Sequence, residues 1–358
     1  MDNPPASRKK VKNTARILTM IFLLMAGRYA CAAKPVLIVV DAAGKGDFKT
    51  IQAALNSLPD SSSADRVILV KNGIYHEKVF ITKDHIVLRG EDEKNTVISM
   101  PIARDIWRCE DNTSDWGVAT LNLRGSDITL QNLSIINSYG FTHTTDTTIN
   151  CNIGGKVTSR VVSRNGHQMA LRSLQTTRLK VINCTLRAYG GDTVSPWNTQ
   201  AGLFYFKNCT MEGGVDFYCP RGWAYAEGCT FICHSMDAAI WHDGSGNKDQ
   251  KTVLVNCTFK GDDGFKLGRY HKDAQFYLVN CKFAPNMADA PIYQAASSPG
   301  VKYGKRVYFY NCHRTGGNYS WMEDNLTAAP GAPAAKDITP AWALDRQWDP
   351  ISKTDKAL

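Results

Sequence analysis

The sequence predicts an all-β chain wound as a parallel β-helix with a short N-terminal capping helix. Three observations carry this. A phrase built on a cysteine, preceded by Asn in five cases and Gly in one, recurs six times, as "INCTL", "KNCTM", "EGCTF", "VNCTF", "VNCKF" and "YNCHR", with the cysteines Cys184, Cys209, Cys229, Cys257, Cys281 and Cys312 separated by 25, 20, 28, 24 and 31 residues. A period near two dozen residues is the mark of stacked coils. Each phrase follows a short β-rich run, and no amphipathic helical stretch interrupts the body.

In chain order, the first 33 residues come first. A basic run, an apolar stretch from Ile17 to Ala26 and small residues around Cys31, Ala32 and Ala33 form a signal-peptide pattern, too short in its apolar part for a comfortable membrane span. Export to the medium or the periplasm is expected. A lipid anchor through Cys31 is the weaker alternative, because "RYAC" lacks an aliphatic residue before the cysteine. Removing this leader takes the net charge from +9 to +4. That mild balance suits an acidic polymer and falls short of the dense basic patch of a nucleic-acid binder. With 43% hydrophobic and 21% charged residues, the chain has the composition of a protein with a sizeable core rather than of a disordered or membrane-embedded one.

In "DFKTIQAALNSLP", apolar residues at Ile51, Ala54, Leu55 and Leu58 are at helical spacing and the run stops near Pro59, which predicts a helix capping the open end of the coil. In the body, residues 34–326, the cysteines are expected to stack about 4.8 Å apart as an inward column, with Leu133 of "LQNLSIIN" in the same place one coil earlier. Asn183, Asn208, Asn256, Asn280 and Asn311 then form an amide ladder at a bend. Cys219 and Cys233 lie off the column and are open to pairing or to remaining free. "THTTDTTIN" at 142–150 is polar without apolar periodicity and reads as a loop bordering a cleft. Residues 327–358, rich in Pro and Ala, read as a tail lying on the coil or trailing from it. No second domain is required.

The same period applied to polar residues gives Gln168, Asp192 and Asp216, separated by 24 and 24. They are expected to stack on adjacent coils. Two carboxylates at strand spacing repel, so one holds its proton more tightly. A carboxylate that attacks, a protonated neighbour that feeds the leaving group and an amide that holds an oxyanion together describe acyl transfer. The same spacing also fits a solvated face whose acids happen to align.

Several stretches in order resemble the pectin methylesterase family, carbohydrate esterases on a right-handed parallel β-helix. "FKTIQAALNSLP" is similar to the family's entry segment, "VKNGIYHEKVFI" to its G-x-Y-x-E signature, "GHQMALR" to Q-A-V-A-L, "YGGDT" to G-Y-Q-D-T, "EGGVDFYCP" to G-T-V-D-F-I-F-G and "KLGRYH" to L-G-R-P-W. The resemblance implies an ester hydrolase acting on methylated galacturonate of pectin, an acidic plant polysaccharide, through an aspartyl acyl-enzyme. It assigns Asp216 as nucleophile, Asp192 as proton donor and then base, Gln168 to the oxyanion and Arg269 to holding the Asp216 carboxylate. It places substrate contacts at Thr120, Phe217, Tyr270 and His271, implies no metal or organic cofactor, and is compatible with a monomer. Trp197, Trp223 and Trp241, read on turns near these residues, are further aromatic candidates for substrate contact as a sugar platform.

Three departures matter. Gly191 stands where the family has the glutamine of Q-D-T, Tyr270 and His271 replace the Pro-Trp of L-G-R-P-W, and Cys219 replaces the second aromatic of V-D-F-I-F. Two other readings stay open: a non-catalytic polysaccharide-binding β-helix, and a polygalacturonase-like glycosidase using Asp262 and Asp263.

Overall fold

The computed structural model describes Met1 and residues 36–109, 114–243, 246–296 and 300–351. The leader, with Cys31, lies outside the described residues apart from Met1. The coil belongs to the compact unit that begins at Pro35.

The chain winds as a parallel β-helix, as the period requires. One sheet of ten strands runs from Val36–Val40 to Lys305–Tyr310, and a second of nine from Gly73–Tyr75 to His313–Arg314. The third face is split into Val79–Ile81, Leu121–Leu123, Leu171–Leu174 and Val194–Trp197, then Ala238–His242, Lys266–Tyr270 and Tyr293–Gln294. Between these two groups residues 215–221 make only single bridges, Tyr218 pairing with Val194 on one side and Ile240 on the other. The site forms at this interruption.

Each coil must bend between the first and second sheets, and the bend needs a left-handed residue. Asn132, Asn183, Asn208, Asn256, Asn280 and Asn311 all have φ between 50° and 55° there. Asn tolerates that region because its short side chain bonds locally. The ladder is real but broken: Asn183 donates to Asn132 at 3.2 Å, Asn280 to Asn256 at 3.2 Å and Asn311 to Asn280 at 2.9 Å. At the "EGCTF" coil Gly228 takes the position with φ 62°, because a Cβ there would lie 2.6 Å from the Asn208 amide oxygen. Immediately after each bend comes the column cysteine. All six are buried and free, and Leu133 continues the column. Stacked rings of Phe231, Phe259 and Phe283, with centroids 4.6 and 5.3 Å apart, fill the next inward position.

The capping helix spans Ile51–Ser57 and buries Ile51, Ala54 and Leu55 over the first coil, with Leu58 buried just beyond. Thr50 accepts from the Ala53 amide, and the Glu77 carboxylate accepts from the amides of Ile51 and Gln52 at 2.9 and 3.0 Å, so an anion sits on the helix N-terminus.

One expectation changes. The stretch read as a loop at 142–150 enters, from Thr147, a β-hairpin of Thr147–Ile153 with Lys156–Val162, turned by Gly154 and Gly155 at φ 60° and 81°. Its half-buried positions are Thr147 and Ile149, so a mostly polar alternation hid the strand. The chain also forms a disulfide, Cys109–Cys151, which ties the hairpin to the short helix Arg104–Cys109. Cys219 and Cys233 are free and buried.

The Pro/Ala-rich stretch lies along the outer face of the first sheet. Leu326, Ala329, Ile338 and Ala343 pack on the outward residues Tyr205, Tyr225, Val253 and Tyr277, and the Trp342 ring meets Tyr277 edge-on at 5.1 Å.

Candidate active site

Asp192 and Asp216 occupy equivalent places on adjacent coils, each just before an inward strand residue. The Asp192 amide donates to the Val215 carbonyl and the Asp216 amide to the Ala238 carbonyl, while both residues adopt left-handed φ, 58° and 50°. Asp is among the few side chains that accept this conformation at modest cost. The expected stacking of the two acids is therefore a backbone fact.

Both acids line a cavity of about 450 Å³ whose other walls are Arg104, Arg108, Asp115, His167, Met169, Arg172, Trp197, Arg221 and Trp241. Arg269 stands behind Asp216: its Nε donates to the two carboxylate oxygens at 2.9 and 3.2 Å, and its Nη2 donates at 2.7 Å. Burial pushes the Asp216 carboxyl above the ordinary Asp range, Arg269 pulls it back, and Asp192 adds to the upward push. Burial wins, so Asp216 holds its proton more tightly than a free aspartate even with a guanidinium clamped on it. Burial is the largest cause of the shift and the Asp192 charge a lesser one, and the shift falls on the residue that the resemblance assigns as nucleophile.

The arginines were not legible from motifs. Arg172 and Arg221 both lie over the Trp197 ring, 4.6 and 4.2 Å from its centre, and both donate to the Ser195 hydroxyl, at 2.6 and 3.2 Å. Arg221 comes within 4.0 Å of Asp192. The Nε atoms of both arginines are buried and unbonded among the described residues. Asp115 gathers Arg104 and Arg108 at 2.9 Å each, with Arg172 at 3.7 Å, and these contacts outweigh burial to hold its carboxyl below the usual range. The disulfide fixes the far end of the helix that carries Arg104 and Arg108.

Other expected site residues fall elsewhere. Gln168 is fully buried with its amide consumed inside the coil, its oxygen accepting from the Gly140 amide at 3.0 Å and its nitrogen donating to the Arg164 carbonyl. His167 and Met169 line the cavity and Gln168 between them does not, its amide being held by the Gly140 and Arg164 backbone. In backbone register the partner of Gly191 is His167. Thr120 is buried with its hydroxyl on the Ile136 carbonyl. Phe217 and Tyr270 belong to the central core. Trp223 packs with Leu203 and Leu344 beneath the C-terminal strap. None of these four lines the cavity. His271 lies at its edge, stacked on Trp241 at 5.7 Å and bonded to Asp243 at 3.2 Å. Asp262 and Asp263 sit on an exposed turn outside the cavity.

A Cβ added at Gly191 would approach the Val215 carbonyl oxygen to 2.9 Å. The backbone has closed over the place where a glutamine side chain would begin, so the missing amide is built into the packing.

Comparison with known proteins places this geometry. The pectinesterase family model matches residues 37–279. Putative pectinesterase 11 of Arabidopsis thaliana is 29% identical over 246 residues, 65% of this chain and 58% of that protein. Probable pectinesterase/pectinesterase inhibitor 58 of the same plant is 25% identical over 236 residues, 64% of this chain and 36% of its own length, so the chain spans only about a third to three fifths of these relatives. A pectin methylesterase crystallised in complex with a hexasaccharide superposes with a TM-score of 0.64 at 20% identity, covering 88% of this chain and 98% of that one, a likeness of fold. Two aspartates on adjacent coils, an arginine on the second of them and a family match over most of the coil lead to one conclusion: the chain belongs to the pectinesterase family.

Proposed function

We propose that the protein is a carboxylic ester hydrolase that removes methyl esters from galacturonate units of pectin or a related acidic polysaccharide. The observation that carries this is the Asp192–Asp216 pair with Arg269 clamped on Asp216, facing an arginine-lined cavity. Asp216 attacks the ester carbonyl carbon, and the carbonyl π electrons move onto oxygen. Collapse of the tetrahedral adduct expels the methoxy group, which takes the Asp192 proton and leaves as methanol. Asp192, now a carboxylate, removes a proton from water, which attacks the acyl-aspartate and releases the free uronate and the Asp216 carboxylate.

An acidic substrate suits the walls. Arg104, Arg108, Arg172 and Arg221 all face the cavity, and burial together with the Arg221 guanidinium pushes the Arg172 pKa down despite Asp192 and Asp115. A uronate carboxylate entering this arginine-lined space meets positive charge on several sides. That a related fold has been crystallised with a hexasaccharide supports a polysaccharide partner. Export is part of the proposal, and the Cys109–Cys151 disulfide supports it, since such bonds persist in oxidising compartments.

A second reading, polysaccharide binding without turnover, is favoured by Gly191 and by the inward amide of Gln168, which leave neither glutamine on the cavity. Methanol and acetate release from a panel of esterified pectins by the purified protein, with Asp216→Asn as control, separates the two. Release by the wild type alone supports the esterase. Binding with no release supports the second reading.

A further inference from the structure

We propose that His167 is a catalytic residue of this chain, donating from Nε2 to the oxyanion that forms on the attacked carbonyl. The inference rests on the esterase reading and addresses what that reading leaves unsupplied. An acyl transfer through Asp216 places negative charge on the former carbonyl oxygen, and catalysis requires a donor waiting at that point. Neither glutamine position offers one, because Gly191 has no side chain and Gln168 spends both ends of its amide within the coil.

His167 is where the donor is needed. It is the register partner of Gly191, one coil before Asp192, and its Cδ2 atom lies 3.8 Å from where a Cβ of residue 191 would be. The imidazole therefore occupies space beside the absent glutamine side chain. Its Nε2 is 3.6 Å from Asp192 Oδ1, so it borders the same reaction volume as the acid that serves the leaving group. The ring makes no hydrogen bond within the protein among the described residues, and its side chain is 48% exposed. A donor without a partner, at the mouth of a cavity, is available to substrate.

The other donors around the cavity are committed or, like the Nε atoms of Arg172 and Arg221 and the Trp241 Nε1, buried without a partner among the described residues. Arg269 is bound to both oxygens of Asp216, Arg104 and Arg108 to Asp115, and the Nη1 atoms of Arg172 and Arg221 to Ser195. The charged groups facing His167 are Asp192 across the cavity, Arg221 beyond it, and Arg104 of the short helix with its partner Asp115 from the following loop; the Arg104 amide also holds the His167 carbonyl. Asp192 Oδ1 faces Nε2 at 3.6 Å without a hydrogen bond. When the ester enters, Nε2–H donates to the oxyanion and keeps its proton throughout.

The test compares methanol release by the full-length wild type with that of His167→Ala, His167→Phe and His167→Gln on one methylated pectin, with thermal melts of all four. The Phe variant keeps a ring and removes the donor, and the Gln variant restores an amide N–H. The expected result is a kcat lower by about 10²-fold in the Ala and Phe variants with little change in KM or melting temperature, and a Gln variant within about tenfold of wild type. Full kcat in His167→Ala, or a Gln variant as slow as Ala, overturns the proposal while leaving the esterase reading intact. A wild type that releases no methanol overturns both.

Discussion

Arg269 grips both oxygens of Asp216 from 53 residues further along the chain, with its closest contact at 2.7 Å. Two coils of winding bring them together, and the pair sets how the site responds to pH and to substitution.

The acid limb of kcat/KM is expected to lie above the ordinary Asp pKa of about 3.9, because Asp216 attacks only when ionised and burial raises its pKa. In Arg269→Gln the limb moves further up, since the group opposing burial is gone. A pH profile of methanol release for both proteins checks this, and an unmoved limb means that Arg269 does not govern the charge of Asp216.

Asp216→Asn is expected to abolish turnover and to stabilise the fold. A carboxyl whose folded pKa is raised contributes fully below its unfolded pKa, and that contribution is lost as pH rises through the folded value. At neutral pH the ionised Asp216 therefore weakens the native state, and the neutral amide removes that cost, by about 1 kcal/mol on the scale of active-site trade-offs. The gain in melting temperature at pH 7 disappears at pH 3. A destabilised variant at pH 7 contradicts the stated balance between burial and Arg269.

Reduction of Cys109–Cys151, or a Cys151→Ser substitution, is expected to raise KM for acidic substrate more than it lowers kcat. The bond closes a 42-residue separation and anchors the helix that holds Arg104 and Arg108 on Asp115, facing the same cavity as Asp192 and Asp216. Chain-entropy arguments put its stabilisation at up to about 4 kcal/mol. Melting curves and Michaelis kinetics with and without reductant read both effects, and unchanged KM means that the helix holds its place unaided.

Trp223→Ala and Trp241→Ala are expected to separate. Trp223 is core beneath the strap, so its loss costs about 3 to 5 kcal/mol of stability while KM for folded protein stays as in wild type. Trp241 lines the cavity and stacks with His271, so its loss raises KM. Equal KM effects in the two variants argue against the cavity as the sugar path.

The coil was legible because its physics repeats. A bend that needs a left-handed residue recruits Asn each time, and an inward column recruits small apolar thiols, so both show as a period in the sequence. For the same reason Asp192 and Asp216 were found by arithmetic: their register is set by the backbone. Capping at Ile51, Ala54, Leu55 and Leu58 was readable from helical spacing.

What period and motif could not supply is which way a side chain turns within a coil. Gln168 and His167 differ by one residue, yet the amide is held by the Gly140 and Arg164 backbone while the imidazole lines the cavity. Thr120, Phe217 and Tyr270, placed on the substrate by the resemblance, are buried in the coil, and Trp223 lies under the strap. The disulfide joins residues of no shared motif. Arg104, Arg108, Arg172 and Arg221 converge from separate coils and a helix, with no spacing to betray them. A local period is enough to specify the coil, its cap and the pair of aspartates, so these could be read along the chain. The donors and cations around that pair came into view with the folded chain alone, because they depend on which face each residue presents and on contacts between coils far apart in the chain.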